Sequence, residues 1–88
     1  MKPEPYILYH VEDAELLSDG ILRVPTGGSD GEILFTGIHD VPPANPDYGF
    51  WRWLTRRLKR RGLNSLPVSI LDEPQIGWYR DDYRRECA

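Results

Sequence analysis

Three prolines within five positions, in Val41-Pro42-Pro43-Ala44-Asn45-Pro46, constrain this chain more than any other feature. Each fixes φ and removes a backbone donor, so the segment can propagate neither a helix nor a central strand. It reads as a stiff linker between a strand-forming N-terminal half and the segment Tyr48 to Arg61, whose apolar pattern is helical. Asp47, or Asn45 with Pro46 at the first helical position, is placed to cap that helix, and Gly62 to end it.

The flanking segments read as strands. Tyr6 to Val11 alternates in residue types that suit a pleated sheet, and Glu12 to Leu17 has the character of one short helical turn before Asp19-Gly20. Ile21 to Pro25 and Glu32 to His39 are predicted as a hairpin joined by Thr26-Gly27-Gly28-Ser29-Asp30-Gly31. Leu66 to Leu71 is a further strand, and the order strand, helix, strand permits a right-handed crossover. In the tail, Ile76, Trp78 and Arg80 alternate as a strand would, while Asp81-Arg84 and Asp82-Arg85 have helical spacing, so a short strand followed by a turn of helix is expected.

An 88-residue chain with 40% apolar and 28% charged residues fits one domain, residues 1–88, with one core. The expected fold class is α+β: a small mixed, mainly antiparallel sheet of about four strands packed against one main amphipathic helix, residues 47–61. Cys87 is the lone cysteine and permits no internal disulfide, which suits a reducing compartment. The longest apolar run near the N-terminus, Tyr6 to Tyr9, is too short for a signal peptide or a membrane span, so no membrane partner and a cytoplasmic location are expected.

At roughly 100° per residue, Phe50, Trp51, Leu54, Leu58 and Arg61 share the core-facing side of the helix. Arg52, Arg56, Lys59 and Arg60 gather on the opposite side, with Trp53 at the margin and Arg57 one turn on, close enough to cover its ring. Residues 48–62 carry six bases and no acid, whereas residues 1–47 carry nine acids against Lys2 and Arg23. The charges on the helix therefore have two readings. In one, the acidic half of the chain, with Asp72 and Glu73, neutralises them; in the other, Arg52, Trp53, Arg56, Lys59 and Arg60 form a surface for an acidic partner, with guanidiniums supplying paired donors to carboxylates. Nucleic acid is a weaker match, because the sequence pI is about 5.2 and no helix-turn-helix, zinc-finger or RNA-binding signature accompanies the helix.

Ingredients for chemistry are few. His10 and His39 end predicted strands and Asp40 stands beside the second, so a ligand-binding or acid–base site would need these three to converge. No close-spaced histidine motif assigns a metal, the serines have no nucleophile context, and the glycine-rich segment lacks the lysine and following helix of a phosphate loop. Leu8-Tyr9-His10, followed by a polar segment and Gly20-Ile21, resembles the opening strand and first turn of ADP-ribosyltransferase-type domains. That resemblance implies a histidine in contact with a dinucleotide, but it covers only this short stretch and assigns no catalytic residue here. The expectation is a non-enzymatic interaction domain without cofactor, binding an acidic protein or a second copy of itself through the helix and its aromatic surroundings. The alternatives are a small enzyme or ligand-binding protein using His10 and His39, and a nucleic-acid-binding module.

Overall fold

The computed structural model describes residues 4–59 and 70–87. Strand β1 (Tyr6–His10) passes through a 3-10 turn (Val11–Asp13) into the two-residue β2 (Glu15–Leu16). A hairpin of β3 (Leu22–Ser29) and β4 (Leu34–Val41) follows, then helix α1 (Tyr48–Lys59), strand β5 (Ile70–Asp72) and helix α2 (Glu73–Cys87). The fold is α+β with a five-stranded sheet, and every described pairing is antiparallel. β5 lies beside β1, not β4, and runs antiparallel to it, so the anticipated right-handed crossover does not form. No described helix is long and apolar enough to cross a membrane.

β3 is the centre of the sheet. One of its edges pairs with β4 from Leu22↔Val41 to Ser29↔Leu34; the other pairs with β2 at Leu22 and Arg23 and with β1 from Thr26 to Ser29. The strand includes Thr26-Gly27-Gly28-Ser29, whose composition predicts a loop. The reason is steric. A Cβ on Gly28 would stand 2.2 Å from the Tyr6 carbonyl oxygen and 3.2 Å from Ile7 Cα, so β1 closes on β3 at that position only because it carries no side chain. Pro25 is accommodated inside this central strand because, on the edge away from β4, it lies between the residues paired to β1 and those paired to β2, where the 3-10 turn interrupts the ladder. The connecting turn shrinks to Asp30–Ile33. The Asp30 carboxylate accepts from the Glu32 and Ile33 N–H groups at 2.8 Å each, and these two bonds hold it below the usual carboxylate range.

Pleating sends Ile7, Tyr9, Leu22, Val24, Phe35, His39, Val41 and Leu71 to one face of the sheet, and α1 packs on the part of it formed by Leu22, Val24, His39 and Val41, leaving Ile7 and Phe35 exposed. The predicted stripe is buried: Leu54 is 0% exposed, Phe50 2%, Leu58 3% and Trp51 4%, packed with Val11, Leu22, Val24 and Val41. Each such side chain contributes on the order of 1.5–3 kcal/mol by leaving water. The predicted end of the helix, Arg60 to Gly62, and residues 66–69 of the expected strand Leu66 to Leu71 lie outside the described residues. The expected helical turn in Glu12–Leu17 is realised as the 3-10 turn beginning at Val11, and β2 takes the rest.

The tail departs from expectation. Residues 73–87 form one continuous helix, and the proposed strand through Ile76, Trp78 and Arg80 does not exist. Ile76 is 2% exposed and Trp78 67%, so the two face different ways. A reciprocal capping box starts the helix. The Asp72 carboxylate accepts from the Gln75 N–H and the Gln75 side-chain oxygen accepts from the Asp72 N–H, both at 2.9 Å. Asp81–Arg84 and Asp82–Arg85 add pairs one turn apart, and Ile76, Tyr79 and Tyr83 turn toward the core.

Two glycine substitutions should move stability in opposite directions. Gly28→Ala is expected to cost about 2 kcal/mol or more through its clash with β1. Gly77→Ala, where a Cβ meets nothing within 4 Å on a helix, should gain about 0.5–1 kcal/mol. Urea unfolding followed by tryptophan fluorescence measures both.

Candidate functional site

Helix α1 is amphipathic, and its outer side meets the C-terminal half of α2 across a groove of about 570 Å³. The close approach is set at Gly49, where a Cβ would come within 2.8 Å of the Tyr83 hydroxyl. Arg52, Trp53, Arg56 and Arg57 line one wall; Tyr83 and Glu86 line the other, with the free thiol of Cys87 at the open end.

The three arginines are held differently. Arg57 lies over the Trp53 ring, 5.1 Å from its centre, and donates to Glu86 at 3.0 Å, so the anticipated cation–π contact is present. Arg52 donates to the Tyr48 hydroxyl oxygen at 3.1 Å, and that hydroxyl donates in turn to the Gly20 carbonyl at 2.6 Å. Arg56 is exposed and makes no ion pair with a described residue. Neutralisation by Asp72 and Glu73 does not occur among the described residues: Asp72 is spent on the capping box, and Glu73 accepts from Tyr9. The counter-charge for α1 comes instead from Glu86. The Lys59 side chain and Arg60 lie outside the described residues.

Trp53 is a wall of the groove and not an open stacking platform. Its ring lies 6.3 Å from Phe50 and 5.4 Å from Tyr83, with Arg57 over it. Arg80 completes this aromatic layer from α2, 4.5 Å from the Phe50 ring centre and 2.9 Å from the Asp47 carboxylate, fastening the second helix to the start of the first. Tyr83, Arg80 and Glu86 are not marked as neighbours of α1 by the sequence pattern, because alternation and helical spacing compete along their segment. The signal that reveals them is Asp72-Glu73-Pro74-Gln75, a capping box followed by apolar and aromatic residues at helical spacing.

The histidines do not converge. His39 faces α1, 5.7 Å from Tyr9 and 5.3 Å from Trp51 between ring centres. His10, one residue beyond Tyr9, points to the opposite face of the sheet, beside Gly27. Asp40 orients neither imidazole; its carboxylate accepts from Arg23 at 3.1 Å. No group of three metal-ligating side chains occurs among the described residues. Comparison with family models, with curated proteins and with solved structures yields no match.

One titrating group links the sheet to α2. Tyr9 donates to Glu73 at 2.7 Å, and burial, then that bond and the carboxylate's charge, push its hydroxyl up to about 12. The native state thus keeps a proton that the unfolded chain loses near pH 10. Stability from this group is complete below about pH 10 and is lost as pH rises through about 12. Tyr9→Phe should flatten that part of the profile, measured by urea unfolding between about pH 9 and 11.5.

Proposed function

We propose that this protein is a non-enzymatic interaction domain that binds an acidic segment of a protein partner in the groove between α1 and α2. The observation that carries the reading is Arg56: an exposed guanidinium at the lip of a groove of about 570 Å³, with Arg52 one turn away on the same helix and no described carboxylate on either. Arginine offers planar, paired donors suited to a carboxylate, and a concave wall shields those bonds from water better than a flat surface. Trp53 and Tyr83 supply apolar contact beside the charges, and their packing against Phe50 limits the ordering cost on binding.

Glu86 sets the limits of the groove. It occupies Arg57 and places negative charge on the far wall, so an extended acidic chain is favoured toward Arg52 and Arg56 and away from the α2 terminus. The same arrangement argues against a phosphate backbone, which would profit from an uninterrupted positive field, in a chain of net charge -3.

A glutamate-rich peptide titrated against the protein should quench or shift Trp53 emission, with affinity falling as salt is raised; a lysine-rich peptide should not. Arg52→Gln with Arg56→Gln should weaken binding of the glutamate-rich peptide about tenfold or more while leaving the unfolding free energy from urea titration within about 0.5 kcal/mol of the parent. Unchanged affinity would remove this groove from the reading.

A further inference from the structure

The outer edge of β4 has no neighbour among the described residues, and it lacks the usual devices that keep such an edge unpaired. β4 pairs with β3 along its whole length on one side only. Its eight residues, Leu-Phe-Thr-Gly-Ile-His-Asp-Val, include no lysine and no proline, and the hairpin delivers them without a break in register. Leu34 is 77% exposed, Ile38 60% and Phe35 38%, with Ile33 of the turn at 66%. The one charge in the strand, Asp40, is already matched by Arg23.

The hairpin also fixes which backbone groups face outward. The Asp30 N–H donates to the Ile33 carbonyl, so the odd-numbered residues of β4 turn their N–H and C=O groups to β3. Leu34, Thr36, Ile38 and Asp40 turn theirs to the free edge, and the same four residues place their side chains on the face that no described helix covers.

We propose that β4 pairs with β4 of a second copy, antiparallel about a two-fold axis perpendicular to the sheet, with Thr36 opposite Thr36 of the second copy. Self-complementarity carries this choice of occupant. In that register Leu34 falls opposite Ile38 of the second copy and Ile38 opposite its Leu34, giving one continuous apolar row across the axis. Phe35 falls opposite Gly37, whose missing side chain leaves room for the ring on the helical face. Every outward backbone donor of Leu34, Thr36 and Ile38 gains an acceptor. Glu32 comes opposite Asp40 of the second copy, a carboxylate whose charge Arg23 already offsets. A single strand pair is a small contact by the standard of specific interfaces, so weak, concentration-dependent association is expected of it. The groove between α1 and α2 plays no part in this contact, so either proposal can fail without the other.

The test uses the full chain with Cys87→Ser, which removes the exposed thiol. Sedimentation velocity from about 1 to about 500 μM should show conversion of monomer to dimer. Ile38→Lys, which sets an ammonium against Leu34 of the second copy at an exposed position, should weaken dimerisation about 100-fold or more with an unchanged circular dichroism spectrum. For the register, Thr36→Cys should crosslink two chains on mild oxidation, because the two Cα atoms across the axis lie about 5.5 Å apart; Leu34→Cys, displaced two residues from the axis on each chain, should not. A chain monomeric throughout that range overturns the proposal and leaves the edge to an extended segment of a different protein. A dimer indifferent to Ile38→Lys, or one in which Leu34→Cys crosslinks and Thr36→Cys does not, overturns it as well.

Discussion

Packing of α1 on a single face of the sheet is the contact on which the rest of this structure depends. Leu54, Phe50, Leu58 and Trp51 meet Val11, Leu22, Val24 and Val41, and the described core contains little else. In a chain of 88 residues this is close to the least apolar surface that can offset the entropy of ordering the backbone. The sheet must therefore be narrow enough for one helix to cover and flat enough for that helix to reach several strands. Gly28 meets the second demand by letting β1 and β3 approach, and the stiff segment Pro42 to Pro46 fixes where the helix begins. Within that segment the Asn45 N–H donates to the Pro42 carbonyl at 2.9 Å and the Asn45 side chain accepts from the Asp47 N–H at 2.8 Å, so the direction of entry into α1 is set by short local bonds.

What could be read from the residues was what repeats. The four apolar residues of α1 recur at helical spacing, and all four are buried; β1 and the hairpin were visible from their alternation, and the helical start from its prolines. What escaped was decided by non-local contact. Thr26 to Ser29 has the composition of a loop, and only the two strands flanking it make it a strand. Residues 76–80 alternate like a strand, yet the reciprocal bonds of Asp72 and Gln75 commit the chain to a helix before that alternation can matter. The cationic face is legible as a set of residues, but the counter-charge expected in one of its two readings was the acidic N-terminal half with Asp72 and Glu73. Among the described residues the carboxylate that pairs with an arginine of α1 is Glu86, and the distance along the chain concealed it.

The helical and the uncovered faces of the sheet now have contrasting characters. Aromatic rings crowd the first: Tyr9, His39, Trp51, Phe50, Trp53 and Tyr83 form a chain of neighbours with centres 5.2–6.3 Å apart. Three of the seven ring pairs meet edge to face, three are tilted and one is stacked, all within the range of favourable aromatic contact. The second face holds Leu8, Leu34 and Ile38 with Gly27, Ser29 and Thr36 between them, and the rings of Tyr6 and His10, which make no ring–ring contact among the described residues. His39 and His10 lie one on each of these two faces.

The hydroxyl of Tyr48 has a consequence for how charge is presented. By donating to the Gly20 carbonyl and accepting from Arg52, it makes a backbone atom between β2 and β3 part of the support for a guanidinium on α1. The direction in which that cation points is therefore a property of the sheet's entry loop as much as of the helix that bears it. A disturbance of the loop would be communicated to the groove as a rotation of charge, with no change in the number of charges there.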